Sequence, residues 1–374
     1  MSNTTPVQRL GELGQSIWLD YIRRDILDDG TLQRMIDNDG LRGMTSNPSI
    51  FDKAIAETDI YDDALHGELA RDDRQSDQAL FFRLAIQDVR RAADQFAAVY
   101  AGSGHRDGFV SLEVSPELAR ETGATVKEAR SLWRQVNRPN LMIKVPGTRE
   151  GIPAVRELVE DGLNINITLL FSVDRYREVL DAYLSALEAR LESGKPLGEI
   201  NSVASFFVSR VDSKLDKALE GNGSAGALAL RGQCAVANAK VAYAHLQEVM
   251  AGERWQRLAA AGAVPQRLLW ASTSTKNPDY PPLLYVEPLV GPHTVNTLPP
   301  ATYDLLMQTP LQTVTVDRDV DAARTALARL AEFDIDLTAV TDQLEQEGVA
   351  SFSDAFHHLL RRIDGRRADI EVAQ

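Results

Sequence analysis

The chain has 374 residues, 44% of them apolar, and acids outnumber bases by 54 to 40 for a net charge of −14. That is enough material for one large α/β domain or two average ones, and too acidic for general nucleic-acid binding, which depends on Lys and Arg. A single cysteine, Cys234, excludes an intramolecular disulfide framework and any cysteine-built metal cage. The opening MSNTTPVQRLGELG lacks the apolar core of a signal peptide, and nowhere do eighteen uncharged apolar residues run together. A soluble, cytoplasmic protein with no membrane partner is expected.

In chain order, the predicted strands are SIWLDYI (16–22), LRGMTS (41–46), GFVSLEV (108–114), LMIKV (141–145), NINITLL (164–170), NSVASFFV (201–208), RLLWAS (267–272) and HTVNTL (293–298). Between them lie amphipathic helices. GIPAVRELVEDG places Ile152, Val155, Leu158 and Val159 on one face, with Pro153 near its start and Gly162 after its end. Beyond Ser172, a predicted N-cap, Val173, Tyr176, Val179, Leu180, Tyr183, Leu184, Leu187 and Leu191 keep helical spacing. EGNGSAG (220–226) reads as a flexible loop, and QCAVANAKVAYAHL as a helix with Cys234 in the core. From about residue 300 the chain reads as helical, with LARLAEFDIDL and SFSDAFHHLLRRI the clearest pieces.

Eight strands alternating with helices predict a closed (β/α)8 TIM barrel. A doubly wound sheet is the alternative, but no GxGxxG follows the first strand and no GxxxxGKS/T occurs. No linker marks a boundary. One domain is therefore expected, a barrel core over about 16–300 with a C-terminal helical extension over about 301–374.

Polar groups inside apolar strands carry the functional signal, because barrel interiors are mostly Val, Ile and Leu. Residues two apart share a face. Asn166 and Thr168 then face one side, with Ile165, Ile167 and Leu169 toward the helices. Lys144 shares a face with Met142, Asp20 with Trp18, and Glu113 with Ser111. Each has an ordinary reading: Lys144 in a structural ion pair with Asp20 or Glu113, Thr168 as a β-branched strand former, Asn47 as a helix N-cap before Pro48. Together, one amine, two carboxylates and a hydroxyl near the C-terminal ends of barrel strands are the equipment for Schiff-base chemistry. Apolar walls disfavour a charged amine and so favour the nucleophilic form. The iminium then serves as an electron sink for breaking the adjacent carbon–carbon bond, and carboxylates move the protons.

The segments GMTSNPSIF, SLEVSP, LMIKVPGT, GLNINITLLF, SFFVSR and ASTSTKNP, in this order, resemble the transaldolases, most closely the longer bacterial subfamily of the pentose phosphate pathway. The resemblance runs from about Ser16 to Thr297 and weakens in the C-terminal helices. It implies a cofactor-free barrel enzyme, a monomer or homodimer, in which Lys144 forms the Schiff base with a phosphorylated ketose. Glu113 would act as acid and base through a water held by Thr168, and Asp20 would take and return the proton of the hydroxyl whose carbon–carbon bond breaks. Asn47, Asn166 and Ser205 would bind the dihydroxyacetone unit, and Arg210 the phosphate. The shorter transaldolases carry a second arginine directly after Ala-Ser-Phe; here the loop reads Ala271-Ser272-Thr273-Ser274-Thr275-Lys276. Lys276, with Ser272 as a donor, takes that place, although a solvated surface lysine is the ordinary alternative.

An aldolase that releases the free three-carbon fragment would use the same lysine. A metal-dependent aldolase is disfavoured, since the six histidines show no HxH or HxxxH spacing. A non-catalytic sugar-phosphate-binding barrel is the remote alternative.

Overall fold

Eight parallel strands close on themselves in sequence order, joined by helical crossovers except between the seventh and eighth, where a loop holds only the 3₁₀ turn Glu287–Leu289. The computed structural model describes residues 4–56 and 58–372. The strands are β1 (Gln15–Asp20), β2 (Gly43–Thr45), β3 (Phe109–Glu113), β4 (Leu141–Pro146), β5 (Ile165–Leu170), β6 (Ser202–Phe207), β7 (Arg267–Ala271) and β8 (Thr294–Leu298). All eight fall on the predicted runs, with no end shifted by more than two residues. Nearly every strand residue is buried, as a parallel sheet walled by helices requires.

Register decides which polar groups meet. Glu113 lies beside Lys144, and Lys144 beside Asn166, so three neighbouring strands present these side chains at one level. Asp20 is paired in register with Thr45 across β1 and β2. Lower down, Trp18 pairs with Gly43. A Cβ on Gly43 would lie 2.6 Å from the indole, so glycine is what admits the tryptophan to the barrel interior. The floor is closed by Asp107, which accepts from Ser16, Trp18 and Arg267 at 2.5, 3.2 and 3.2 Å.

Several local predictions hold. Ser172 Oγ accepts from Arg175 N–H at 3.0 Å and caps the helix Val173–Glu192. The helix Gly151–Asp161 ends at Gly162, whose φ of 104° suits glycine. Cys234 is wholly buried in the helix Cys234–Ala251.

Three details differ. EGNGSAG is not an extended loop: the helix Ser209–Asn222 runs into it, and Ala225–Leu228 follows after Gly223 and the capping Ser224. Gly223, at φ 71°, supplies the tight reversal that composition alone read as looseness. Strict alternation stops at Leu169, which takes φ 62° where the β5–β6 register shifts. LARLAEFDIDL is broken: Val320–Ala328 passes into a 3₁₀ turn, Arg329–Phe333, and Asp334 reverses the chain at φ 57°. The backbone N–H of Thr338 then donates to Asp336 at 2.9 Å, and a 36-residue helix, Leu337–Val372, contains all of SFSDAFHHLLRRI.

Candidate active site at the C-terminal mouth of the barrel

Lys144 projects from β4 into the barrel mouth with only 5% of its surface exposed. Its Nζ lies 3.2 Å from Glu113 Oε2 and donates to the Ser46 carbonyl at 3.4 Å. The ion pair is the arrangement an ordinary structural lysine would adopt, but its surroundings are not those of a structural pair. Among the described residues, neither Glu113 oxygen accepts a well-directed hydrogen bond and the buried Thr168 Oγ1 has no partner. Buried polar atoms are nearly always satisfied, by protein or by ordered water. Burial pushes the Glu113 carboxyl above the ordinary carboxylate range, and the neighbouring Lys144 charge pulls it part of the way back.

Asp20 stands at the end of β1, where Thr45 Oγ donates to it at 2.7 Å and Thr297 Oγ is 2.7 Å from Thr45. Burial raises its carboxyl as well, against the opposing effects of Lys144 and the Thr45 hydrogen bond. Two carboxylates of raised proton affinity therefore flank one amine, the pattern expected of groups that must exchange protons near neutral pH.

Asn166, on β5, is wholly buried. Its amide nitrogen donates to Ser111 at 3.1 Å, and Ser205 Oγ donates to its oxygen at 2.6 Å. Asn47 does cap the helix Pro48–Ala56, accepting from Ile50 N–H at 3.0 Å, and it also lines the cavity. The capping and binding readings of Asn47 are therefore compatible, because only the carbonyl end is committed to the cap.

These side chains surround a cavity of about 360 Å³. Asp20, Asn47, Lys144, Thr168, Ser205, Arg210, Ser272 and Lys276 line it. Of the predicted set, Glu113 and Asn166 do not line it themselves but touch residues that do, Glu113 against Lys144 at 3.2 Å and Asn166 against Ser205 at 2.6 Å. Arg210 is the second residue of the helix Ser209–Asn222 and packs its guanidinium 5.4 Å from the Phe207 ring centre. Among the described residues it makes no ion pair. Burial without a carboxylate partner lowers its proton affinity. Ser272, at φ 55°, closes the β6 and β7 ends together through its carbonyl, which accepts from Ser209 N–H at 3.0 Å. Lys276 is exposed on the rim and donates to Ser274 Oγ at 2.7 Å.

The cavity also contains residues that the sequence did not single out: Thr45, Lys53, Phe207, Ser274, Thr297 and Phe352. Thr45 was accessible to reasoning, since β2 neighbours β1 and GMTSNP places a hydroxyl two residues before Asn47. Lys53 follows Ser49 and Ile50 at helical spacing. Phe352 carried no such signal, because it reaches the site from the C-terminal helix. Among the described residues, no three His, Cys, Asp or Glu side chains converge as a metal ion would require. No described helix is long and apolar enough to cross a membrane.

The transaldolase/fructose-6-phosphate aldolase family model matches residues 17–363. A transaldolase of Thermobifida fusca is 46% identical over 360 residues, covering 96% of this chain and 97% of that one. A transaldolase of Thiobacillus denitrificans is 46% identical over 363 residues, 97% of this chain and 100% of the other. Transaldolase 1 of Streptomyces coelicolor is 46% identical over 358 residues, 96% and 93% of the two chains. With its barrel closed around a buried lysine and two carboxyls, this chain belongs to the transaldolase/fructose-6-phosphate aldolase family, on the transaldolase side of it, and is a transferase.

Proposed function

We propose that the enzyme transfers a dihydroxyacetone unit through a Schiff base on Lys144, as a transaldolase of the non-oxidative pentose phosphate pathway. The donor is sedoheptulose 7-phosphate or fructose 6-phosphate, and the acceptor glyceraldehyde 3-phosphate or erythrose 4-phosphate. The observation that carries this reading is the pairing of Lys144 with Glu113 at 3.2 Å beside a cavity that also contains Arg210, which makes no ion pair among the described residues.

Each step has a group suited to it. Glu113 accepts a proton from the ammonium side of the ion pair, releasing the amine to attack the donor ketone. A water bridging Glu113 and Thr168 would satisfy the oxygens that lack partners and carry protons during carbinolamine formation and dehydration. Asp20 takes the proton of the hydroxyl next to the breaking bond, and the electron pair of that bond moves to the iminium nitrogen, leaving an enamine. The enamine carbon then attacks the acceptor aldehyde, Asp20 returns the proton, and water frees the lysine. Asn47, Asn166 and Ser205 supply the polar lining for the three-carbon unit. Arg210, with Ser272 and Lys276, binds the phosphate, since a guanidinium with free donors and no carboxylate partner is suited to a dianion. The low exposure of Cys234 and the acidic surface suit the reducing cytoplasm, with the enzyme acting as a monomer or homodimer.

Borohydride reduction in the presence of fructose 6-phosphate should leave a dihydroxyacetone-sized adduct on Lys144. Labelling elsewhere, or none, would overturn the assignment. A coupled assay with and without erythrose 4-phosphate separates transfer from simple cleavage: turnover that needs the acceptor is transfer.

A further inference from the structure

The helix Leu337–Val372 lies across the mouth of the barrel. On one side, Glu345 pairs with Arg175 at 3.3 Å, and Glu347 pairs with Lys214; these partners belong to the helices that follow β5 and β6. On the other side, His357 Nε2 lies 2.7 Å from Glu117, just after β3, and His358 Nδ1 lies 2.8 Å from Asp52, in the helix after β2. Between residues 347 and 358 the helix axis advances about 16 Å, and β4 lies within that span. Gly348 lets the helix come down this far, because a Cβ there would stand 3.0 Å from Leu169 and 3.5 Å from Phe171.

Phe352 falls between the two anchored sides. Its ring centre is 5.6 Å from Lys144 Nζ, it is 5% exposed, and it lines the same cavity as Asp20, Thr168 and Arg210. A residue that only filled space between helices would not need to turn its ring toward the amine. An aromatic face at this distance attracts a cation and at the same time occupies volume that water would otherwise fill.

We propose that Phe352 roofs the covalent intermediate on Lys144 and decides how it partitions between the acceptor aldehyde and water. The proposal rests on the Schiff-base chemistry of Lys144. After the donor bond breaks, the enamine carbon has two outcomes. It can form a new carbon–carbon bond with the aldehyde. Alternatively it takes a proton to become the iminium, water adds to the carbon–nitrogen bond, and that bond breaks to release dihydroxyacetone and the free lysine. Both outcomes regenerate the enzyme, and only the second consumes water before an acceptor has reacted. A ring over Nζ favours the first by limiting water at the iminium carbon bonded to that nitrogen.

The test is made on the full-length enzyme. Phe352→Ala and Phe352→Leu are compared with wild type for transfer to erythrose 4-phosphate and for acceptor-independent release of dihydroxyacetone. Release relative to transfer should rise about tenfold in Phe352→Ala and less in Phe352→Leu, which keeps most of the bulk. A purely packing role would lower both rates by the same factor, through loss of folded enzyme, and leave their ratio at the wild-type value; that result overturns the proposal. If Phe352→Ala does not fold, as judged by its thermal melt, the ratio in Phe352→Leu decides. Borohydride trapping on the wild type keeps the two readings apart. An adduct on Lys144 with an unchanged ratio removes only the role of Phe352, whereas no adduct removes the Schiff base itself.

Discussion

Asp20 is a carboxyl whose charge comes at the expense of stability. Its carboxyl is raised above its ordinary value of 3.8, so the folded protein holds the proton more tightly than the unfolded chain does. The stability associated with this group is therefore complete below pH 3.8 and is lost as pH rises through the folded value. Asp20→Asn keeps an acceptor for Thr45 and removes the charge. Its melting temperature should equal or exceed that of wild type above neutral pH, with the difference shrinking toward pH 4, while transfer falls at least about a hundredfold. A lower melting temperature at alkaline pH would show that the Asp20 charge is stabilising. Arg210 presents the complementary case, a half-buried cation with no carboxylate partner among the described residues. Arg210→Ala should raise KM for phosphorylated donors by tens of fold to about a hundredfold, the loss expected for charge-assisted hydrogen bonds, with a smaller effect on kcat. Steady-state kinetics with fructose 6-phosphate would show an unchanged KM if the phosphate sits elsewhere.

At the scale of elements, the loop after β7 is tied to the helix that carries Arg210. Tyr285 donates to Asp212 at 3.1 Å and Tyr280 donates to Asp216 at 2.7 Å. Asp212 also accepts from Ala235 N–H at 2.7 Å. Burial pushes the Asp212 carboxyl up to about 7, with Asp216 adding to the rise and the hydrogen bonds opposing it. The folded value again exceeds the unfolded one, so this group's contribution is full below pH 3.8 and declines as pH approaches and passes about 7. Asp212→Asn should flatten the fall in melting temperature across that window, read from thermal melts at several pH values. Because Ser274 and Lys276 sit on the tied loop, Tyr285→Phe should also raise KM for phosphorylated substrates several-fold without a comparable change in kcat.

The elements were legible to different degrees. The eight strands were readable because burial on both faces leaves nearly continuous apolar runs, and that signal is local. The convergence of Lys144, Glu113, Asp20 and Thr168 was readable from alternation, since parity and a parallel register place them on one face at one end. The loop at 220–226 was misjudged because Gly, Asn and Ser serve equally in a long loop and in a one-glycine reversal between helices. Leu169 departed from alternation because the strand changes register there, under the C-terminal helix.

Over the whole molecule, a net charge of −14 coexists with a cavity lined by Lys53, Arg210 and Lys276. Bulk charge excluded a nucleic-acid surface, yet it was silent on this local reversal of sign. With no three metal-ligating side chains converging among the described residues, EDTA should leave transfer intact. A loss restored by zinc would overturn the metal-free mechanism. Gly43 is a constraint on the barrel interior as a whole: Gly43→Ala drives a methyl into Trp18 and should cost about 1–3 kcal/mol, measured by urea unfolding.

The sequence by itself determined the barrel, its polar interior face and the lysine at its mouth, because strand periodicity and register are set by neighbouring residues. Only the tertiary structure decided what closes the site. Phe352 stands far along the chain from Lys144, on a helix whose own pattern says only that one side is apolar. Its place over the amine comes from ion pairs on either side of the mouth and from the close approach at Gly348, contacts between segments that no local pattern encodes.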